Sequence, residues 1–354
     1  MTAASVVLPL LSDLPNFNAI PTDGKQLRVA FCGLGSYANR VAEAMQSCSN
    51  AKVVGVISGT PSKIETWQKK YSIPKENCYS YETFDDLKNN PNIDVVYVTS
   101  PNALHHPHTI KVAKAGKHVI CEKPMSLSVR DCQEMIDACA QRNRLLSIGY
   151  RLHFEPFTKE MIRLGQQRVY GRVLEIDCAN GFVWGNGDPG AWRLKKALAG
   201  GGALMDMGIY TIQAARYVTG EGPIFVSARE EKTLPALFRE VDETIYYRLE
   251  FPGGAIAHGR SSYNANWNHL KVRAEKGWFE LTEAYRYNGM AGATQQGPMR
   301  FDPNLNQQSM QMDDFAACIA EKRRSSVAGE EGLKDMKVVE AIYRSLASGQ
   351  KERI

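Results

Sequence analysis

The sequence lacks the features that mark several specialised classes of protein. No run approaches the ~18 consecutive apolar residues that a membrane-spanning helix needs. The chain also has no large excess of one charge, because it contains 43 Lys and Arg and 38 Asp and Glu. Its clusters of basic residues are short and far apart in the sequence. Neither a membrane nor a nucleic acid is therefore expected as a partner. What is present is a chain of 354 residues, 44% of them hydrophobic, which is long enough for two domains.

Metal-binding and secretory patterns are absent as well. The eight cysteines form no Cys-x-x-Cys pair, which argues against a zinc site and favours reduced thiols. Pro107 interrupts the cluster of His105, His106 and His108, so we expect no metal. The apolar stretch 6–11 follows no basic residue and does not resemble a secretory signal. We therefore expect a cytoplasmic protein.

The order of strand-like and helix-like segments predicts an arm followed by two domains. Residues 1–26 contain three prolines and little periodicity, which indicates an extended N-terminal arm. From 27 to 149 the two kinds of segment alternate, which predicts an α/β Rossmann domain with a doubly wound parallel sheet. From 150 to 354, strand-like segments joined by short turns predict an antiparallel meander with helices. Within it, residues 290–306 are rich in Gly, Gln, Asn and Pro and predict a long loop.

A glycine-rich turn stands between the first strand-like segment and the first helix-like segment. It consists of Gly33, Leu34, Gly35, Ser36, Tyr37 and Ala38. Small residues permit a tight turn and allow backbone N–H groups to approach a pyrophosphate at the positive end of the helix. Because the strand–turn–helix context is present, the motif predicts dinucleotide binding.

The end of the second strand favours NADP over NAD. NAD enzymes usually place an Asp or Glu there, which holds the ribose 2′-hydroxyl. This chain instead has Ser58, Gly59 and Thr60, followed shortly by Lys63. Hydroxyl and amide donors and the charge of Lys63 would attract a 2′-phosphate that a carboxylate would repel.

Two further segments carry side chains suited to acid–base chemistry. A Glu-Lys-Pro motif at 122–124 ends the fourth strand, and doubly wound sheets bind ligands outside the carboxyl ends of their strands. The second segment places four small residues, 200–203, before Asp206 and Tyr210, which share one face of a helix. A tyrosine beside a cation can exchange a proton with an alcohol. The alternative for the second segment is a helix packed on the sheet with a surface Asp.

Together these motifs resemble the Gfo/Idh/MocA oxidoreductase family, and within it the glucose–fructose oxidoreductase branch. The resemblance spans nearly all of residues 27–350 and includes the strings at 150–156, 192–194, 257–263 and 329–332. It implies an N-terminal Rossmann domain and a C-terminal α+β domain with a large, mostly antiparallel open sheet. Because that sheet commonly forms subunit contacts in the family, a homo-oligomer, either a dimer or a tetramer, is implied.

The resemblance also implies roles for individual residues. Lys123 matches the active-site lysine of the family, Tyr210 matches the catalytic tyrosine, and Asp206 matches its partner acid. Ser58 and Lys63 match contacts to the 2′-phosphate of NADP. The motifs and the resemblance together give as further cofactor contacts Gly33, Gly35, Ser36, Tyr37, Ala38, Gly59, Tyr81, Pro101, Asn102, His105, Glu122, Lys123, Arg151, Trp192 and Arg193.

These observations lead to one hypothesis and two alternatives. We expect an NADP-dependent oxidoreductase that transfers a hydride from the anomeric carbon of a cyclic aldose to NADP, which yields a lactone. If the cofactor is retained, a second sugar is reduced by the same residues. One alternative is an ordinary dehydrogenase or reductase of an aldose, an anhydro-sugar or a keto-sugar that exchanges NADP(H). The other is a nucleotide-sensing regulator, against which the presence of Lys123, Asp206 and Tyr210 argues.

Overall fold

A computed structural model describes residues 26–354 with the exception of residue 186. The predicted arm, 1–26, therefore lies outside the described residues except for its last one. The first sheet consists of β1 (Leu27–Cys32), β2 (Ala51–Ile57), β3 (Cys78–Tyr79), β4 (Val95–Val98), β5 (His118–Cys121) and β6 (Leu146–Ile148). The strands lie in the order β3-β2-β1-β4-β5-β6 and every pair is parallel. The order reverses between β1 and β4, which opens the ligand crevice of a doubly wound fold.

Apolar strand sequences, together with one side-chain cap at α4, explain this half of the molecule. Strands β4 and β5 are buried at every position, as parallel strands covered on both faces require. The connecting helices are α1 (Ser36–Ala44), α2 (Pro61–Tyr71), α3 (His105–Lys114) and α4 (Val129–Gln141). Ser128 caps α4, because its hydroxyl accepts a hydrogen bond from the backbone N–H of Asp131. The predicted Rossmann fold is confirmed.

The second sheet is large and mostly antiparallel. Its strands are β7 (Val173–Val183), β8 (Phe225–Glu231), β9 (Thr244–Glu250), β10 (Ile256–Ser262), β11 (Asn264–Ala274), β12 (Gly277–Thr282), β13 (Ala291–Thr294), β14 (Gly297–Pro298) and β15 (Glu352–Arg353). They lie in the order β14-β13-β12-β11-β7-β10-β9-β8-β15. A simple meander is wrong, because β7 inserts between β11 and β10 and runs parallel to β10. The predicted loop 290–306 is wrong in part, because β13 and β14 pair within it.

The remaining helices join the two sheets. They are α5 (Pro156–Gln166), α6 (Lys196–Ala199), α7 (Ile209–Thr219), α8 (Gln307–Ala320) and α9 (Gly329–Ser348). Helix α8 returns to the first sheet, where Met312 and Phe315 share a core with Leu27 and Val29. Helix α8 comes from the C-terminal part of the chain and packs on the N-terminal sheet. The domain boundary predicted at residue 150 therefore stays a prediction. Among the described residues, no helix is long and apolar enough to cross a membrane.

Candidate active site

A cavity of about 510 Å³ opens at the carboxyl edge of the parallel sheet. The expected site residues that line it are Tyr37, Asn102, His105, Glu122, Lys123, Arg151, Trp192, Arg193, Asp206 and Tyr210. The structure therefore brings all three expected catalytic side chains together. The other expected residues follow the ends of β1 to β4 outside the cavity lining: Gly33, Gly35, Ser36, Ala38, Ser58, Gly59, Lys63, Tyr81 and Pro101.

The glycine turn after β1 fits a pyrophosphate. Gly33 has φ +97°, and a Cβ there would lie 2.6 Å from the backbone nitrogen of Ser100, so only glycine is accommodated. Gly35 has open space on its Cβ side and precedes α1. No side chain caps α1 and its first turn carries no acidic residue. Its backbone N–H groups are therefore available to an anion.

The start of α2 is suited to a second phosphate. Thr60 is its N-cap residue and makes no capping hydrogen bond, and the first turn contains no acid but carries the exposed Lys63. The hydroxyl of Ser58 accepts a hydrogen bond from the backbone N–H of Thr60 at 3.2 Å. A Cβ on Gly59 would lie 2.9 Å from the ring of Tyr81. This positive, acid-free helix end fits the 2′-phosphate of NADP.

His105 joins the loops that follow β4 and β5. Its Nδ1 lies 2.8 Å from the carbonyl oxygen of Pro124, and its Nε2 lies 2.8 Å from that of Ser100. Burial lowers the pKa of His105 to about 4. Asn102 in the same loop donates a hydrogen bond to the carbonyl oxygen of Ala199 at 2.9 Å. Both side chains thus hold the wall of the cavity in place.

Glu122 is a buried carboxylate at the end of β5. Its Oε1 accepts a hydrogen bond from the hydroxyl of Tyr97, and its Oε2 accepts one from the backbone N–H of Lys123 at 3.1 Å. A Cβ on Gly149 would collide with this carboxylate, so glycine is required there. Burial raises the pKa of Glu122. The peptide bond that follows, Lys123–Pro124, is cis.

Lys123 and Asp206 form the charged centre of the cavity. The Nζ of Lys123 donates to Oδ1 of Asp206 at 2.9 Å and to its carbonyl oxygen at 2.8 Å. Oδ2 accepts from Nε of Arg193 and from the hydroxyl of Tyr263, each at 3.2 Å. Burial opposes both charges, but the cations lower the pKa of Asp206, and Asp206 raises the pKa of Lys123. The pair therefore stays ionised across the physiological pH range.

Tyr210 faces two cations. The Nζ of Lys123 lies 4.7 Å from the centre of its ring, and the guanidinium carbon of Arg151 lies 5.3 Å from it. The residue is in the first turn of α7 and is 7% exposed. Nearby cations stabilise negative charge on a phenol. Lys123 and Asp206 are held in an ion pair, whereas Tyr210 is not a member of that pair.

The small residues 200–203 allow a close approach of the protein's own backbone, and Gly201 and Gly202 also line the cavity. A Cβ on Gly202 would collide with the backbone carbonyl of Asp242, whose carboxylate accepts a hydrogen bond from the N–H of Gly202 at 2.7 Å. This contact precedes a π-helical turn, Leu204–Gly208, which carries Asp206. Asp242 makes this close approach and positions the turn that bears Asp206.

Sequence reasoning missed several aromatic residues of the cavity. Phe182, Tyr263, Tyr285 and Tyr287 also line it. Their spacing is typical of a core, so composition and periodicity do not distinguish them. The available signal was position, because Phe182 lies near the end of β7 and Tyr263 directly follows β10.

The histidines near residue 105 form no enclosed metal site in the described part of the chain. His106, Asp131 and Glu134 offer ligand atoms within 4.8 Å of one another. His106 already pairs with Glu134 at 2.8 Å, and Arg130 lies 3.6 Å from both carboxylates. These contacts describe an exposed ion-pair cluster.

The helices that follow the Rossmann sheet begin with N–H groups that can bind anions, and the sheet opens onto a buried centre of Lys123, Asp206 and Tyr210. Together these features define a nucleotide-dependent oxidoreductase. Comparison with family models agrees with this class. The model for the oxidoreductase family with an NAD-binding Rossmann fold, Gfo/Idh/MocA, matches residues 27–150, and the model for a C-terminal domain of that family matches residues 158–280. The chain belongs to the Gfo/Idh/MocA oxidoreductase family, as its motifs indicated.

The chain is similar to sugar oxidoreductases over most of its length. It is 43% identical to aldose-aldose oxidoreductase from Caulobacter crescentus, solved with glycerol, with a TM-score of 0.89 over 93% of this chain and 100% of that chain. It is 29% identical over 287 residues to an NADP(+) D-xylose 1-dehydrogenase of Haloarcula marismortui, which covers 76% of this chain and 77% of the relative. A second such dehydrogenase, from Haloferax volcanii, is 27% identical over 278 residues, 76% of this chain and 83% of that one.

Proposed function

We propose that this protein is an NADP-dependent aldose oxidoreductase. The observation that carries the proposal is the position of Lys123, which bonds to Asp206 at 2.9 Å while its Nζ lies 4.7 Å from the ring of Tyr210. The likeness to aldose-aldose oxidoreductase and to NADP(+) D-xylose dehydrogenases supports a cyclic aldose as the substrate. The uncapped, acid-free start of α2 with Lys63 supports NADP.

The cofactor would be held at the helix ends that follow β1 and β2. The N–H groups of α1 would bind the pyrophosphate, and Ser58 and Lys63 would bind the 2′-phosphate. Bound NADP supplies the hydride acceptor. Glu122 and His105 hold the loops after β4 and β5 that border the reaction site.

Tyr210 exchanges the proton. As the hydride leaves the anomeric carbon, the phenolate of Tyr210 takes the proton of the anomeric hydroxyl and the sugar becomes a lactone. Lys123 stabilises the phenolate and orients the hydroxyl. Asp206 keeps Lys123 charged and presents its carboxylate to the sugar. Reduction of a second sugar reverses these steps, with Tyr210 as the acid, so protons and hydride balance over one cycle.

One experiment separates this proposal from its alternatives. The protein is purified without added nucleotide and denatured, and the released nucleotide is identified. Then one aldose alone is added to the native protein, and afterwards a pair of sugars. We expect bound NADP(H), a single turnover with one aldose and continuous turnover with both sugars. Continuous turnover with one aldose and added NADP+ would identify the cofactor-exchanging dehydrogenase. Nucleotide binding without any turnover would overturn the enzymatic proposal and identify a regulator.

We further propose a cytoplasmic homo-oligomer, a dimer or a tetramer, that assembles through the second sheet. The resemblance to the family suggests that the second sheet forms the subunit contact. One face of this sheet bears the exposed Trp278, which lies beside the ion pair of Glu175 with Arg273. The eight cysteines are free, which supports a reducing compartment. Sedimentation of the wild type and of Trp278→Asp tests the assembly, because a monomeric wild type would contradict it.

A further inference from the structure

Arg151 is anchored from within the protein. It is 2% exposed, its NH2 donates to the carbonyl oxygen of Tyr285 at 2.5 Å, and its NH1 donates to that of Arg286 at 3.0 Å. NH1 also donates to the side-chain oxygen of Gln307 on α8. A side chain whose outer nitrogens serve backbone and amide oxygens has few donors left for a cofactor phosphate.

The faces of the guanidinium lie against two phenol rings. Its central carbon is 4.0 Å from the centre of the Tyr287 ring and 5.3 Å from that of Tyr210. Arg40 of α1 lies 4.3 Å from the centre of the Tyr287 ring. With Lys123 beside Tyr210, cations and rings alternate from the glycine-turn helix to the reaction site. Such contacts strengthen when they are desolvated, which applies here to the buried pair of Arg151 and Tyr210.

Carboxylates act on the charge of Arg151 only from a distance, since Glu122 and Glu155 interact with it electrostatically. Among the described residues, no Asp or Glu oxygen forms a salt bridge with it, and its Nε is buried without a hydrogen-bond partner. Burial opposes its charge, but Tyr210 and Tyr287 nevertheless keep the pKa of Arg151 above its usual range. A buried cation whose direct partners are carbonyl and amide oxygens is stabilised further when an adjacent group becomes negative. Of its two ring partners, Tyr210 is the one that also contacts Lys123.

We propose that Arg151 is a positioning residue for Tyr210, fixing the ring and stabilising its phenolate, and that it is not a contact to the cofactor phosphates. This inference rests on the proposed role of Tyr210 in proton exchange. The loop after β12 and Gln307 of α8 then have an indirect role in proton exchange, because both hold the guanidinium of Arg151 in place.

A double-mutant cycle tests this assignment. The variants are Arg151→Met, Tyr210→Phe and the double variant, with the dissociation constant of NADP+ and the kcat of the two-sugar reaction measured for each. We expect Arg151→Met to lower kcat about 100-fold and to change the NADP+ dissociation constant less than about 3-fold. Arg151→Met should lower kcat no further in the Tyr210→Phe background. Arg151→Lys, which keeps the charge, should recover part of the rate.

The opposite pattern overturns the inference. A rise of about 10-fold or more in the NADP+ dissociation constant, with kcat preserved at saturating NADP+, would make Arg151 a cofactor contact. An equal loss of kcat in both backgrounds would show that Arg151 does not act through Tyr210. Full activity of Tyr210→Phe would instead defeat the proposed function itself, so the two failures are distinguishable.

A milder variant covers the case in which Arg151→Met does not fold. Gln307→Met removes one acceptor of the guanidinium and leaves its charge. We expect a loss of kcat of about 10-fold at an unchanged NADP+ dissociation constant. A folded Gln307→Met protein with the wild-type kcat would contradict the inference.

Discussion

Lys123 donates two hydrogen bonds to Asp206, one to the carboxylate at 2.9 Å and one to the backbone carbonyl at 2.8 Å. The contact joins the end of β5 to the π-helical turn that precedes α7. It therefore links the nucleotide-binding half to the half that bears Tyr210. Because it uses both the charge and the main chain of Asp206, it fixes position as well as ionisation.

Loss of the Asp206 charge should disrupt the ion-paired centre that Asp206 forms with Lys123. Asp206→Asn leaves the largely buried Lys123 and the partly exposed Arg193 without their counter-ion, so we expect kcat to fall about 100-fold and the protein to lose about 3 kcal/mol of stability. Steady-state kinetics and urea unfolding measure the two effects. The control is Asp137→Asn, an exposed carboxylate on α4, which should change neither. If Asp206→Asn keeps the wild-type kinetics, the proposed role of Asp206 in the reaction is contradicted.

Lys63 should decide between NADP and NAD. Lys63→Ala removes the positive charge from the start of α2, so NADP+ affinity should fall about 10- to 100-fold while NAD+ affinity stays nearly constant. Titration with each nucleotide measures the difference. Lys69→Ala, at the other end of the same helix, is the matched control. An equal loss for both nucleotides would count against a 2′-phosphate contact.

Gly201 and Gly202, which precede Asp206, should differ in their tolerance of a methyl group. A Cβ at Gly202 meets the backbone of Asp242, whereas one at Gly201 meets the hydroxyl end of Tyr343, which can move. We expect Gly202→Ala to cost about 3 kcal/mol of stability and Gly201→Ala to cost less. Gly222→Ala, where a Cβ has open space, is the control. Equal effects at Gly202 and Gly222 in urea unfolding would refute the packing argument.

Acid should destabilise the fold before the active-site carboxylate titrates. Burial lowers the pKa of His105 and His108 to about 4 and that of His118 to about 3, below the unfolded value near 6.5. The unfolded chain therefore binds more protons, and stability falls as the pH drops from about 6.5 toward 4. Urea unfolding at several pH values should show a loss of several kcal/mol over this window. A flat profile would contradict the buried neutral histidines.

Local pattern was enough to predict the first half of the molecule. The alternation of buried strands with helices, the Ser128 cap of α4 and Gly33 at φ +97° follow from short-range chemistry that the sequence displays. The two-residue strand β3 carries no such pattern and was missed. The position of β7 between β10 and β11 depends on contacts distant in sequence, so a run of strand-like segments predicted a simple meander in error.

The candidate site was predictable where motifs carry it. Lys123, Asp206 and Tyr210 meet as expected. Tyr263 and Tyr287 were not predicted, because a tyrosine that contacts an acid or an arginine looks like a core residue until distant strands are brought together. Arg151 shows the same limit, since its anchors on residues 285, 286 and 307 lie more than 130 positions away.

The most direct test of the account is the rate of the single turnover that forms NADPH when a saturating aldose is mixed with Tyr210→Phe loaded with NADP+. Removal of one oxygen atom should lower this rate at least about 1000-fold while NADP+ affinity stays within about 2-fold of the wild type. Tyr170→Phe, a buried tyrosine outside the cavity, should leave the rate unchanged. If Tyr210→Phe keeps most of the wild-type rate, proton exchange by Tyr210 is contradicted.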